Sequence, residues 1–200
     1  MSDPPPGRAL RGPVRLAWAD SPTSRATGRW LLAELVGEML PGADVAFSTV
    51  CPRCGADHGP PVAVGLPVSV SVSYAGSLVV VGAVHGRDAA SLGVDVEAVR
   101  PGPGGPMADL AALFAPQPPP DLRGWTMIEA ALKADGRGLR VPPGDVVVDA
   151  RRGAAASVLG EATVLVSVPG RADLIEAAPA PAPVGYLVSV AVVARRSASL

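Results

Sequence analysis

Proline interrupts this chain at three places. Residues 101–106, 116–120 and 177–183 are rich in proline, accompanied by glycine or alanine. Each segment is expected to break helices and strands, because proline lacks a backbone N–H and clashes with the preceding turn of a helix. With 23 Pro and 23 Gly among 200 residues, the regular elements are expected in the intervals between these segments.

Apolar periodicity in those intervals predicts an α+β fold. In the first half we expect a helix at 24–40, a strand at 14–19, paired strands at 68–73 and 78–84 around Ala75-Gly76, and a third strand of that group at 92–96. In the second half we expect helices near 107–114 and 122–134, and strands near 146–149, 162–168 and 186–194. The halves are alike in outline, which predicts two similar α+β lobes that meet near residue 100.

Composition and charge exclude several classes of protein. An apolar content of 48% with 18% charged residues is typical of a folded, soluble chain. The net charge of -1 gives no general attraction to nucleic acid or to an anionic membrane. No apolar run approaches the roughly 20 residues of a membrane helix, and residues 1–15 lack the apolar core of a signal peptide. We therefore expect a cytoplasmic protein with neither nucleic acid nor membrane as a partner.

Two carboxylates alternate with valine in the segment GVDVE, residues 93–97. In a strand, Asp95 and Glu97 share one face while Val94 and Val96 lie on the other. One interpretation is a platform of oxygen ligands for a hard cation. The alternative is a half-buried strand with a polar outer face.

A second pair of polar residues lies near the end of the helix predicted at 122–134. Trp125, Ile128 and Leu132 recur at helical spacing and form an apolar stripe, while Glu129 and Lys133 share an adjacent face. The pair could be an ordinary surface ion pair. However, Lys133 is the only lysine among 17 basic residues, and an ammonium differs from a guanidinium in size and donor geometry. With Asp95 and Glu97, Glu129 would complete an oxygen-rich site suited to Mg²⁺.

Both cysteines lie close to a histidine. Cys51, Cys54 and His58 have the spacing C-x-x-C-x-x-x-H, which could supply three ligands to a structural Zn²⁺ with a fourth from elsewhere. The alternative is a loop with free thiols and a surface histidine. His85 is expected on the surface, in the turn after a strand.

Two segments together resemble the paired signatures of the 4'-phosphopantetheinyl transferases. They are GVDVE at residues 93–97 and WTMIEAALKADGRGL at residues 125–139. The chain length is similar to that of the two-lobed, surfactin-type subgroup and unlike that of the short trimeric holo-carrier synthases. CPRCGADHG at residues 51–59 resembles a stretch found in many actinobacterial members. SVSY at residues 71–74 lies where the family usually has Ser-x-Ser-His.

This resemblance implies a fold and an activity. The fold would be a monomeric pseudo-dimer, with a coenzyme A-side lobe at residues 1–100 and a second lobe at residues 101–200. The enzyme would transfer the phosphopantetheine arm of coenzyme A to a serine of an acyl or peptidyl carrier protein and release adenosine 3',5'-bisphosphate. The carriers of such enzymes serve fatty acid, polyketide or nonribosomal peptide assembly.

The resemblance also implies roles for individual residues. Mg²⁺ would be held by Asp95, Glu97 and Glu129. Glu129, or a metal-bound water that it orients, would accept the serine proton, and Lys133 would contact phosphate. The residues implied for coenzyme A binding are Arg25, Arg29, Ser73, Tyr74, Asp95 and Lys133.

Three positions depart from the family pattern. Tyr74 replaces the histidine of Ser-x-Ser-His, Pro60 replaces the lysine of a Gly-Lys-Pro, and Ile128 replaces the lysine of Trp-x-x-Lys-Glu. The metal ligands are retained, whereas the nucleotide pocket is altered. These departures leave open the alternative of a non-catalytic paralogue that binds carrier protein or coenzyme A without transfer.

Overall fold

The computed structural model describes residues 7–20, 25–99, 110–152 and 157–195. In this part of the chain the fold is mixed α+β, with most of its regular structure in sheets. The two α-helices are α1 (Arg25–Met39) and α2 (Leu122–Asp135). The strands are β1 (Gly7–Arg11), β2 (Val14–Asp20), β3 (Phe47–Val50), β4 (Asp57–Ala63), β5 (Val68–Ala75), β6 (Leu78–His85), β7 (Ala89–Ala98), β8 (Val147–Arg152), β9 (Val164–Ser167), β10 (Ile175–Ala180) and β11 (Tyr186–Ala194).

The first sheet has the strand order β1-β2-β6-β5, with every pair antiparallel. The predicted hairpin of β5 and β6 is confirmed, with Ala75 paired to Leu78 at its turn. Helix α1 covers one face of this sheet. Its buried residues Leu31, Leu35 and Val36 pack with Val79 and Val81 of β6.

The second sheet has the order β7-β11-β10-β9-β8, again antiparallel throughout. Helix α2 lies on its outer face. Trp125, Ile128 and Leu132 are buried there, which confirms the predicted apolar stripe. A short hairpin of β3 and β4 forms a third, two-stranded sheet.

The inner faces of the two larger sheets form one apolar core. Val80 and Leu16 of the first sheet belong to the same buried cluster as Val94 and Val190 of the second. β5 is an edge strand of the first sheet and β7 an edge strand of the second. Where these edges meet, serine hydroxyls of β5 accept hydrogen bonds from backbone N–H groups of β7. The pairs are Leu92 N to Ser69 Oγ (3.0 Å), Val94 N to Ser71 Oγ (3.0 Å) and Val96 N to Ser73 Oγ (3.4 Å). These bonds hold β7, which carries the carboxylates, against β5.

Several predictions about elements were wrong. Residues 92–96 form a strand, but β7 pairs with β11 rather than with β5 and β6. Strand β10 runs through the start of the 177–183 segment, where Pro179 pairs with Ser189 of β11. Proline is tolerated there because β9 pairs with β10 only over residues 175–177, so β10 has a single neighbour at Pro179.

Other predictions concern the helices and the segments that break them. The 116–120 segment contains no helix or strand, as predicted. Part of the predicted helix near 107–114 lies outside the described residues, which omit 100–109. In the described part, Ala111–Leu113 form a 3-10 turn. His85 is the last residue of β6, half-buried and paired with Val68, rather than a surface residue in the following turn. Within the described ranges, neither helix combines the length and apolarity needed to cross a bilayer.

Candidate functional site

Glycine at position 93 brings α2 and β7 into close contact. A Cβ atom at Gly93 would lie 1.9 Å from the carbonyl oxygen of Ala130 and 2.6 Å from the backbone nitrogen of Ala134. Only a residue without a side chain fits between the strand and the helix. This close approach places Asp95, two residues along β7, opposite the polar face of α2.

Three carboxylates meet at this contact. Ligand oxygens of Asp95, Glu97 and Glu129 all lie within 4.8 Å of one another. The predicted alternation of β7 is confirmed, because Val94 and Val96 are buried in the opposite core. Asp95 is only 2% exposed, so the alternative of a solvated polar face is wrong for this residue.

The only lysine of the chain lies beside the carboxylates. Lys133 Nζ donates hydrogen bonds to Asp95 Oδ1 (2.8 Å), Ser73 Oγ (2.9 Å) and the Val94 carbonyl oxygen (3.1 Å). It also lies 3.6 Å from Glu129 Oε1, as the i,i+4 spacing predicted. Ser73 in turn donates to Asp95 Oδ1 at 2.9 Å. The ammonium is therefore fixed by both β5 and β7.

One buried carboxylate oxygen of the site, Oδ2 of Asp95, has no hydrogen-bond partner among the described residues. Burial raises the pKa of Glu129, and the charges of Asp95 and Glu97 raise it further, while Lys133 opposes the shift. A buried carboxylate oxygen without a partner is costly unless a cation binds it.

The donor set fits a hard divalent cation. All three candidate ligands are carboxylates, which suit Mg²⁺ better than metals that prefer nitrogen or sulfur. Trp125 Nε1 donates a hydrogen bond to Glu97 Oε1 at 3.1 Å and so orients that carboxylate. A hydrogen bond of this kind orients a metal-binding carboxylate before the metal ion binds.

Comparison of the chain with protein-family models and with curated proteins finds no match. Function therefore has to be inferred from the groups that the fold brings together.

A cavity of about 390 Å³ adjoins the carboxylates, and Lys133 lines it. Its walls come from α1, the β3–β4 hairpin, β5 and the segment after α2. Among the described residues that line it, none is acidic. Its cationic lining residues are Arg25, Arg29, Lys133, Arg137 and Arg140. The cavity therefore suits a ligand with several negative charges.

Arg25, Arg29 and Tyr74, predicted to contact coenzyme A, line this cavity together. Arg29 Nη2 donates to Thr49 Oγ1 at 2.9 Å and lies 3.7 Å from Asp57 Oδ2. Partial burial raises the pKa of Tyr74, and the charges of Arg25 and Arg29 oppose that shift. Ser73 faces the carboxylates instead, because adjacent residues of a strand point to opposite faces.

Sequence reasoning missed two of the cavity's cations. Arg137 and Arg140 follow the left-handed cap of α2 at Gly136. Arg137 is held by Asp135, with Nε 2.6 Å from Oδ2, and by the Pro169 carbonyl at 2.8 Å. Their sequence signal was the segment GRGLR at the helix end, where glycines turn the chain back towards the cavity.

The third predicted cluster is also assembled. Ligand atoms of Cys51, Cys54 and His58 lie within 4.8 Å of one another, and Cys54 Sγ is 3.0 Å from His58 Nε2. Both cysteines are free thiols. Hydrogen bonds from the backbone N–H groups of Arg53 and Cys54 lower the pKa of Cys51.

Proposed function

We propose that this protein is a 4'-phosphopantetheinyl transferase that moves the phosphopantetheine group of coenzyme A to a serine of a carrier protein. The observation that carries this proposal is the position of Lys133. Its ammonium contacts Asp95 of the carboxylate cluster, and the residue also lines the cationic cavity. A polyanion bound in the cavity would reach the carboxylate site at this residue.

Coenzyme A matches the cavity in charge. It carries a 3'-phosphate and a diphosphate, and guanidinium groups bind phosphate oxygens through paired hydrogen bonds. Arg25 and Arg29 on α1 line the space together with Arg137 and Arg140 from the segment after α2. The volume of about 390 Å³ is within the usual range for small-molecule sites.

The reaction is a phosphoryl transfer in which positioning and charge do most of the work. The serine oxygen of the carrier bonds to the phosphorus that bears the pantetheine arm, and the bond from that phosphorus to the departing adenosine 3',5'-bisphosphate breaks. Mg²⁺ held by Asp95, Glu97 and Glu129 would supply stabilisation of charge on the diphosphate. Glu129, directly or through a water that it orients, accepts the serine proton. The positive charge of Lys133 offsets the charge that develops on the transferring phosphate.

The experiment is a mass measurement on carrier domains. An apo carrier is incubated with the full-length protein, coenzyme A and MgCl₂, and a parallel sample contains a chelator. The proposal predicts carrier heavier by one phosphopantetheine in the first sample only. Unmodified carrier in both samples, across acyl and peptidyl carriers, would contradict it.

One observation favours a second candidate, a non-catalytic relative that binds coenzyme A or carrier without transfer. Pro60 lines the cavity where the family pattern has a lysine. We favour the enzyme because the site keeps three carboxylates and a lysine together, and a binding module would have no need of all four; they are Asp95, Glu97, Glu129 and Lys133. Coenzyme A binding by calorimetry, with no mass change of any carrier, would make the second candidate the better one.

A further inference from the structure

The β3–β4 hairpin carries a second group of ligand atoms, separate from the carboxylates. Cys51 directly follows β3, and His58 is the second residue of β4. The two sulfurs and the imidazole lie within 4.8 Å of one another. Cys54 Sγ and His58 Nε2 are already 3.0 Å apart.

The backbone of the loop holds these atoms together. Gly55 donates its N–H to the Cys51 carbonyl at 2.9 Å, and Cys51 donates to the Ala56 carbonyl at 2.8 Å. Gly55 has φ of 74°, a conformation that a residue with a side chain rarely adopts. The turn that carries the two cysteines is therefore held by its own backbone hydrogen bonds.

The donor chemistry is that of a soft to borderline cation. Zn²⁺ binds cysteine sulfur at about 2.3 Å and histidine nitrogen at about 2.0–2.1 Å in a tetrahedron. Those bond lengths place a sulfur and a nitrogen about 3.5 Å apart, so Cys54 and His58 need to separate by only a few tenths of an ångström. Cys54 and His58 are exposed, which leaves the fourth position open to water.

We propose that Cys51, Cys54 and His58 bind one Zn²⁺, with water as the fourth ligand, and that the ion fastens the β3–β4 hairpin. The hairpin contributes Thr49, His58 and Pro60 to the cavity, so the ion stabilises one wall of that cavity. This inference is independent of the proposed transferase activity, because it depends only on the hairpin.

The test begins with the intact protein purified under reducing conditions without chelator. Elemental analysis is expected to find one equivalent of zinc. Chelator-stripped protein is then titrated with Zn²⁺ in competition with a chromophoric chelator. Hydrogen exchange of β3 and β4 is expected to slow when Zn²⁺ is added.

Three variants separate binding by this cluster from incidental binding. Cys51→Ser is expected to abolish stoichiometric binding, and His58→Ala to weaken it by at least about 10–100-fold, the range seen when even an outer partner of a metal ligand is lost. His85→Ala is the matched control, because His85 is the only other histidine of the chain. Its Zn²⁺ affinity is expected to equal that of the parent.

Three results would overturn the inference. One is zinc content far below one equivalent, with both thiols reacting equally fast with and without added Zn²⁺. Another is equal Zn²⁺ affinity in His58→Ala and His85→Ala. The last is isolation of a Cys51–Cys54 disulfide from reducing buffer, which would make the pair a redox group instead.

Discussion

At the scale of single residues, hydrogen bonds from two strands fix the position of the Lys133 side chain. Its ammonium donates to three oxygens, from Ser73, Val94 and Asp95, that converge on it from two strands. Three donors in a compact, tetrahedral arrangement match these acceptors. A planar guanidinium is longer and directs its donors in one plane.

We predict that Lys133→Arg lowers transfer by more than about tenfold, with a smaller effect on the melting temperature. The charge and helix propensity are kept, but the longer, planar guanidinium cannot occupy the position from which the ammonium donates to its three acceptors. The measurement is the rate of carrier modification alongside thermal unfolding. Arg87→Lys, at an exposed arginine that does not line the cavity, is the control and is expected to retain the parent rate. Equal rates for the parent and Lys133→Arg would mean that Lys133 is only a structural cation.

Much of the site could be predicted from residue types and their spacing. Strand alternation placed Asp95 with Glu97, and helical spacing placed Glu129 with Lys133. Neither the strand alternation nor the helical spacing reveals that Ser73 bridges Asp95 and Lys133. Ser73 lies about 20 residues before Asp95 in the sequence. That contact depends on the packing of β5 against β7, which is long-range in sequence.

At the scale of elements, the site depends on how closely α2 approaches β7. Gly93 leaves no room for a Cβ, and Ala130 and Ala134 are the small residues that face it. Asp121 caps the start of the helix by accepting a hydrogen bond from the Gly124 N–H at 2.7 Å, which is a favourable N-cap. The register of α2 on the sheet therefore determines where Glu129 and Lys133 lie.

We predict that Gly93→Ala lowers the free energy of unfolding by about 1–3 kcal/mol, the usual cost of overpacking, because the new methyl group overlaps the Ala130 carbonyl. Gly37→Ala is the control. Gly37 lies in α1, and no atom lies within 4 Å of the position that a Cβ would occupy there, so alanine is expected to stabilise by about 0.5–1 kcal/mol. Urea unfolding of both variants provides the measurement. Equal stability of Gly93→Ala and the parent would show that α2 is packed more loosely than described.

A second prediction concerns Asp135 at the end of α2, whose side chain is 3% exposed. Burial alone would raise the pKa of Asp135, but hydrogen bonds and charges from Arg137 and Arg171 bring it below its usual value. Asp135→Asn is therefore expected to cost about 1–3 kcal/mol of unfolding free energy near neutral pH.

The sign of the pH dependence follows from the lowered pKa. The contribution of Asp135 is present above the unfolded-state pKa and is lost as the pH falls through the folded-state pKa. The difference between parent and Asp135→Asn should thus shrink below about pH 4. Denaturant unfolding over that range is the measurement, with exposed Asp145→Asn as control. A difference that stays constant with pH would contradict the assigned ion pairs.

Prediction of helices and strands from the sequence succeeded where apolar residues recurred with a clear helical or strand spacing. Helices α1 and α2 and the β5–β6 hairpin had clear apolar patterns. Strand β10 was missed because its sequence, IEAAPA, has no alternation and contains a proline. Strand β3 was missed because it has only four residues, and β4 because its sequence, DHGPPVA, contains a glycine and two prolines.

At the scale of the whole molecule, the topology is not apparent from local pattern. β7 belongs to the first half of the chain by sequence, yet it is the edge strand of the sheet built from the second half. Its pairing with β11 joins residues about 100 positions apart in the sequence. The local alternation of apolar residues does not predict which distant strand will pair. The division into two similar lobes near residue 100 stays a prediction.

The same topology explains why the cavity and the carboxylates adjoin. α1 lies on the first sheet and α2 on the second. β5 and β7 meet at the edges of these sheets through the serine contacts. Residues from both halves, such as Arg29 and Arg137, therefore line one space. The site therefore depends on elements from both halves of the chain.

The central claim is that this assembled site performs transfer through its carboxylates, and Glu129→Gln tests it most directly. Glutamine keeps the size and helix propensity of glutamate, while it removes one oxygen charge from the cation site and the proton acceptor together. Glu34→Gln, at an exposed position of α1, is the matched control. The measurement is the mass of a carrier domain after incubation with coenzyme A and Mg²⁺, for variants of equal thermal stability. We expect full modification by the parent and Glu34→Gln and a rate at least about 100-fold lower for Glu129→Gln. Transfer by Glu129→Gln at the parent rate would contradict it.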